Sequence, residues 1–216
     1  MKNRLICIIG PDGVGKTTQV KMLIDRLRKE GINCEYKWLR FHHFFSLPLL
    51  GFARLMGLSE VKTLKSGGKI GYHYFYRSKA ISSLYPIFLL IDTLIFITNK
   101  IYIPMKLFKK TIVCDRFVYD AIVDLMISTG NYEIYKSKIG KLFLSLIPQN
   151  SRIIMLIANE EILRKRREDV MHDTTLNLKI KLYKKLADEF DILTIDAGLS
   201  IEEIQKNIEN ITIRKG

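Results

Sequence analysis

The sequence predicts an α/β fold in which a mostly parallel central sheet is covered on both faces by helices. Three observations predict it. Short apolar runs of strand length alternate along the chain with stretches whose apolar residues recur at helical spacing. The first of these runs opens directly onto a glycine-rich turn. A later run, residues 111–114, stops at an acidic residue, Asp115, as a buried parallel strand does when it carries a site at its carboxyl end.

The elements follow in order. Residues 5–9 are the first strand, and from Lys16 the period changes, with Val20, Leu23, Ile24 and Leu27 on one helical face until Gly31 ends it. Residues 32–38 read as a second strand and 41–58 as an apolar helical region broken by Pro48 and Gly51. Residues 59–71 read as a polar loop, and 72–103 as mostly helical with a break at Pro86. After the strand at 111–114, helical patterns run over 119–129 and 132–147. The chain closes with a strand at 152–158, helices at 160–168 and 175–190, a strand at 192–195 and a last helix. Ser200 and Glu203 have capping-box spacing at its start, and Ile201, Ile204 and Ile208 are its predicted inner face.

Between first strand and first helix stands CIIGPDGVGKTTQ, residues 7–19. Gly10, Gly13, Gly15, Lys16 and Thr17 fill the GxxxxGK[ST] pattern of a phosphate-binding loop. Backbone amides can surround an anion only where no side chain intervenes, and a helix amino terminus adds partial positive charge. The loop residues Gly10, Pro11, Asp12, Gly13, Val14, Gly15, Lys16, Thr17 and Thr18 are therefore the expected contacts to ATP. Lys16 is expected to reach the donor phosphates, and Thr17 to hold a magnesium ion, Mg2+, that bridges them.

Composition bounds the remaining possibilities. The 216 residues suit one domain, 1–216, without repeats or low-complexity tracts. Cys7, Cys34 and Cys114 lie in apolar runs without metal-ligand spacing, which predicts buried thiols in a reducing, cytoplasmic setting, and no signal peptide is recognised before the first strand. The net charge of +13 suits anionic ligands, but the lysines are spread through loops and helix faces. Residues 84–103 are apolar enough to suggest a membrane span, yet Asp92 sits near their middle. A central carboxylate costs about 2.5 to 3.5 kcal/mol on insertion scales, so a buried or subunit-facing helix is expected instead.

A phosphate loop alone names no reaction. A guanine-nucleotide switch would carry NKxD, whereas Asn99-Lys100 is followed two places on by Tyr102. Residues 64–70, LKSGGKI, only echo a transporter signature, and Asp115 is followed by Arg116 rather than by a catalytic glutamate. GPDGVGKTT with an acid at Asp12, CDRFVYD over 114–120, the arginine-rich stretch after the strand at 152–158, and LYKKLADEF beyond it resemble the thymidylate kinase family of P-loop nucleoside monophosphate kinases. The resemblance runs along most of the chain. It implies a P-loop NTPase fold of three layers and transfer of the ATP γ-phosphate to a deoxynucleoside monophosphate, dTMP foremost.

The same resemblance implies roles for residues. Asp12 faces the acceptor, Lys16 the donor phosphates, Thr17 and Asp115 the magnesium ion, and Arg116 the acceptor phosphate. Arg40 and Arg77 resemble two further acceptor-phosphate arginines, and Tyr119 joins the substrate-binding set. Val14 leaves the loop without a cation, so one or more of Arg164, Arg166 and Arg167 is expected from a lid. A helical lid would place Arg164 and Arg167 on one face and Arg166 on the other. The departures are the enlarged apolar segment after the second strand, and an aromatic cluster, Tyr72, His73, Phe75 and Tyr76, in which no single ring stands out as the base-stacking one. The expected assembly is a homodimer through the apolar helices, with nucleotides as small-molecule partners and neither nucleic acid nor membrane. The alternatives are a kinase for another small phosphorylated or hydroxylated acceptor, and a nucleotide-regulated protein that binds nucleic acid or an anionic membrane.

Overall fold

Every side chain of the first strand is apolar and buried, so both faces of that strand must be covered. A computed structural model describes residues 4–39, 43–64 and 69–212 and shows how. In chain order the elements are β1 (Leu5–Ile9), α1 (Lys16–Lys29), β2 (Cys34–Trp38), α2 (Ser46–Leu55), β3 (Ser59–Thr63) and β4 (Lys69–His73). A 3₁₀ turn at Phe75–Arg77 leads into α3 (Lys79–Ile97), a π-type turn at Thr98–Tyr102 and α4 (Ile103–Leu107). Then come β5 (Thr111–Asp115), α5 (Val118–Thr129), a 3₁₀ turn at Ile134–Lys136, α6 (Lys138–Ser145) and β6 (Arg152–Ile157). The chain ends with α7 (Glu160–Arg166), α8 (Glu168–Met171), α9 (Leu176–Glu189), β7 (Leu193–Asp196) and α10 (Ile201–Thr212).

The five long-range strands form one parallel sheet in the order β2-β5-β1-β6-β7. Period-two alternation then divides the core. Leu5, Cys7 and Ile9 face α3, α5 and α9, whereas Ile6 and Ile8 face α1 and α10. This is the expected α/β architecture of a parallel sheet between helical layers. From β1 the chain crosses to one edge and from β5 toward the other, so a crevice opens at the carboxyl ends of these two neighbours. All three cysteines are buried and free, as expected.

The structure differs from the sequence reading in five places. Residues 59–71 are not a loop, because β3 and β4 pair antiparallel from Ser59 opposite His73 to Thr63 opposite Lys69. Each strand is too short and polar to declare itself alone, and pairing supplies the backbone partners. Pro86 does not break α3, and the irregularity falls at the π-type turn after Ile97. Ile201 is half exposed, so the inner face of α10 is Ile204 and Ile208, although Ser200 and Glu203 do form the reciprocal cap. The helix read over 160–168 stops at Arg166, and the one read over 132–147 is a 3₁₀ turn followed, after the extended Ser137, by the shorter α6.

Asp92 explains why a carboxylate stands in an apolar helix. Its oxygens accept from the amides of Phe44, Phe45 and Ser46 at 3.1, 2.8 and 2.9 Å, and from the Ser46 hydroxyl at 2.6 Å. Residues 46 positions away thus receive the helix cap that their own sequence lacks. We expect Asp92→Ala to lower stability by about 2 to 3 kcal/mol, since it strands several amides at once. Urea denaturation checks this, and a change below about 0.5 kcal/mol would mean that water replaces the cap without cost.

Candidate functional site

The loop after β1 has the backbone that its glycines predict. Gly10 has φ of 137°, and a Cβ there would collide with the backbone oxygen of Leu156 on β6. Gly15, at φ of 95°, opens α1 with no side-chain cap, which leaves the first amides of the helix available to an anion. Lys16 is buried, and its ammonium arches back to donate to the carbonyls of Gly10 and Pro11 at 2.7 and 2.8 Å. Burial, reinforced by the neighbouring Arg116, pushes its pKa down to about 8.

The end of β5 supplies the opposite charge. Pairing sets Asp115 beside Ile8 on β1 and Trp38 on β2. One carboxylate oxygen accepts from the Thr17 hydroxyl and from Tyr36 at 3.4 Å, and the other is buried with no hydrogen-bond partner among the described residues. Burial and the Asp115 charge push Tyr36 up to about 12, so it stays a donor. An orphaned carboxylate oxygen beside a threonine hydroxyl is an all-oxygen donor set, which fits a hard divalent cation such as magnesium.

Arg116 takes a left-handed backbone, φ of 71°, and turns its guanidinium between Asp12, with which it is ion-paired, and Asp120 at 3.7 Å. Burial disfavours that cation, but the carboxylates of Asp12 and Asp120 outweigh it and hold the guanidinium charged. Asp120 in turn accepts from the Phe117 amide and the Tyr183 hydroxyl, each at 2.7 Å.

Two cavities meet at Asp12. One, of about 660 Å³, is lined by the loop, Lys16, Thr17, Thr18, Tyr36, Asp115 and Arg116, with an apolar wall of Leu199, Ile201 and Ile204. The other, of about 590 Å³, is lined by Asp12, Tyr72, His73, Tyr74, Tyr76, Asp124 and Lys179. Both are of ligand size. Burial pushes His73 down to about 4, so the second cavity is walled by a neutral imidazole as well as tyrosines. Lys179 remains charged, because Asp173, 2.7 Å away, and Asp12 oppose the effect of burial.

The candidate lid departs from its predicted geometry. Arg167 has extended backbone and separates α7 from α8, so the helical spacing argument fails. Arg166 and Arg167 both line the loop cavity, while Arg164 does not. Arg164 instead bonds Glu160 at 2.7 Å and the carbonyls of Val170, Met171 and Asp173, which ties α7 to the segment after it. Arg166 donates to Ala197 at 2.7 Å, and Arg167 pairs with Asp169.

Two further placements differ from the sequence reading, and a third narrows a choice it left open. Tyr119 is a core residue packed on Phe190 and lines neither cavity. Arg77 lies on the 3₁₀ turn before α3, not on the helix, and is exposed with its guanidinium over the Tyr74 ring, 4.7 Å from the centroid. Phe75 is fully buried, whereas Tyr72, His73 and Tyr76 line the second cavity. Val14 is buried against the lid side of the core, and Arg40 lies outside the described residues. Sequence reasoning missed Tyr36, Asp120, Asp124 and Lys179. For Asp120 and Asp124 the signal was present, since their spacing of four places both on one face of the helix that follows Arg116.

No protein-family model matches the chain, and no curated protein matches it. The site therefore rests on its own geometry. A lysine buried at a depressed pKa weakens the ligand-free fold, because the unfolded chain binds the proton more tightly. With a folded value near 8 against 10.5, stability rises as pH climbs from 8 to 10.5. Below that window the charged lysine is a burden, and we expect Lys16→Met to stabilise the ligand-free protein by about 1 to 3 kcal/mol at neutral pH. Urea midpoints of the two proteins at pH 7 check it; a lower midpoint for the variant would contradict the depressed lysine.

Proposed function

We propose that the chain is a P-loop phosphotransferase that moves the γ-phosphate of ATP to a deoxynucleoside monophosphate, with dTMP as the acceptor suggested by its resemblance to thymidylate kinases. One observation carries the reading. Asp12 lines both cavities, so a ligand on the phosphate loop and a ligand against the tyrosines would meet at one carboxylate and its partner Arg116.

In this reading the donor phosphates lie on the loop amides, and the Lys16 ammonium turns from the carbonyls of Gly10 and Pro11 to the phosphate oxygens. The apolar wall of Leu199, Ile201 and Ile204 takes the donor base. The acceptor base lies among Tyr72, His73 and Tyr76, and its phosphate reaches Arg116. Thr17 and Asp115 would hold magnesium directly or through its water shell, and the ion when bound neutralises charge on the β and γ phosphates.

An acceptor phosphate oxygen attacks the γ-phosphorus as the bond from that phosphorus to the β-γ bridging oxygen breaks, leaving ADP. A monophosphate, with its second pKa of about 6, presents an anionic oxygen at neutral pH, so no base is required. This favours a phosphate acceptor over a hydroxyl, because Arg116 already engages Asp12, the carboxylate nearest the junction. Arg166 and Arg167, which line the loop cavity, would meet the charge that spreads over the transferred oxygens.

Coupled ADP release with magnesium and ATP tests the reaction across nucleoside monophosphates, nucleosides and phosphosugars. We expect dTMP to give the fastest release and Lys16→Met to cut turnover by about a hundredfold or more without loss of the fold. ADP release with dTMP no greater than with ATP alone would sink the acceptor assignment. The lid separates by residue: Arg166→Ala should lower kcat about ten- to a thousandfold with small change in either KM. Arg164→Ala should lower stability by about 1 to 3 kcal/mol and leave kcat near that of the parent. The reverse pattern would reassign the two arginines.

A further inference from the structure

Arg116 pairs with two carboxylates that differ in what else they meet. Asp12, on the loop, lines both cavities. Asp120, on α5, is buried and lines neither. Two donors already fix it, the Phe117 amide on Oδ2 and the Tyr183 hydroxyl on Oδ1, each at 2.7 Å. Nη1 of Arg116 faces the same Oδ1 at 3.7 Å, an ion pair longer than a hydrogen bond, and Nη2 pairs with Asp12. The guanidinium is a rigid fork, so a hold on one prong fixes where the other points.

We propose that Asp120 and Tyr183 are positioning residues that keep one prong of Arg116 in place while Asp12 gives up the other to the acceptor phosphate. This role rests on the kinase reading and deepens it, by naming the groups that prepare its phosphate-binding cation. Tyr183 lines neither cavity and acts through Asp120.

The surroundings decide which partner lets go. A ligand at the junction of the cavities comes against Asp12, the carboxylate that both of them reach. Once released, that carboxylate remains in the fields of Lys179 and Lys16. The exchange replaces one anion by another at Nη2, so a buried cation is never left without one. Asp120 has no such freedom, because α5 and α9 both hold its oxygens.

The backbone aims Arg116 but does not secure its end. Its amide donates to the Ile8 carbonyl at 3.0 Å and its φ of 71° is left-handed, a conformation few residues other than glycine adopt. The guanidinium still depends on side-chain partners. Burial pushes the Asp120 carboxyl up, and Arg116, Lys16, the Phe117 amide and the Tyr183 hydroxyl oppose it. Without that hydroxyl, one of the groups that keep Asp120 charged is gone and the inner hold on Arg116 weakens. Tyr183 reaches Asp120 from α9, and Lys179 stands one turn earlier on the same face of that helix. One helix therefore carries both a cation in the field of Asp12 and the hydroxyl that fixes Asp120.

Tyr183→Phe tests this, because it removes one hydroxyl and leaves the bond from the Phe117 amide to Asp120 intact. Initial rates of ADP release are measured with dTMP varied at saturating ATP and magnesium. We expect the dTMP KM to rise about three- to tenfold in Tyr183→Phe and about tenfold or more in Asp120→Asn, with kcat within about threefold of the parent. ATP binding should be unchanged, as read from the fluorescence of Trp38, the chain's single tryptophan, which lines the loop cavity. A merely structural role would lower the amount of active protein, cutting apparent kcat and leaving KM alone, and that pattern would overturn the proposal.

A second readout needs no turnover and no ligand. The Arg116 guanidinium, assigned by its loss in Arg116→Lys, should give a slowly exchanging side-chain signal in proton–nitrogen NMR spectra. We expect Asp12→Asn to keep that signal and Asp12→Asn combined with Tyr183→Phe to lose it. Loss in Asp12→Asn alone would make Asp12 the holding partner and overturn the proposal, as would retention in the double variant. A parent that turns over no acceptor sinks the kinase reading, and the NMR comparison then still decides whether Asp120 and Tyr183 hold Arg116.

Discussion

Two cations taken out of water, Lys16 and Arg116, set the terms for everything around them. Neither is tolerable in a protein interior unless anions or carbonyls face it. The pairing of β1 with β5 meets that need, because it puts Asp115 opposite Ile8, just where the loop begins. Arg116 then has Asp12 on the loop and Asp120 one turn into α5, and Lys16 has the carbonyls of Gly10 and Pro11. The sheet order is thus more than scaffolding. Insert another strand between β1 and β5 and the charges would no longer compensate one another.

The same rule recurs away from the loop and does structural service there. Asp92 supplies acceptors to the unpaired amides at the start of α2, and Asp173 faces Lys179 at the edge of the second cavity. The Tyr72 hydroxyl joins β4 to the segment after α8, donating to His172 and accepting from Thr174. The contacts of Asp92 and Tyr72 fasten pieces of chain that are far apart in sequence. The hairpin and α3 therefore line one cavity and the α7–α8 segment the other, although none of them belongs to the central sheet.

The segment from α7 to α8 shows how a small backbone event alters which side chains share a cavity. Were α7 to continue through Arg167, adjacent arginines would point about 100° apart and only one could face the loop. The extended backbone at Arg167 instead allows Arg166 and Arg167 to line one cavity, and Arg164 is left to tie the two short helices together. A basic run that looks uniform in sequence divides into cations that line a cavity and one that ties the two short helices together.

By itself the sequence determined what is local. The glycine-rich turn, the strand before it, the helix after it, the acid at the end of β5 and the cap at Ser200 were legible because each depends on residues within a few positions of one another. Period alone also marked the buried helical faces of α1. Only the tertiary structure decided the rest. The β3-β4 hairpin, the capping role of Asp92, the burial of Tyr119, the tie made by Arg164 and the presence of Tyr36 and Lys179 at the cavities all depend on partners between 6 and 79 positions away. Period and propensity report the surroundings of a residue only within about one helical turn. Whether a charge or a ring is buried, and against what, is settled when the sheet order brings distant segments together, and that order is chosen by the summed burial of the whole chain.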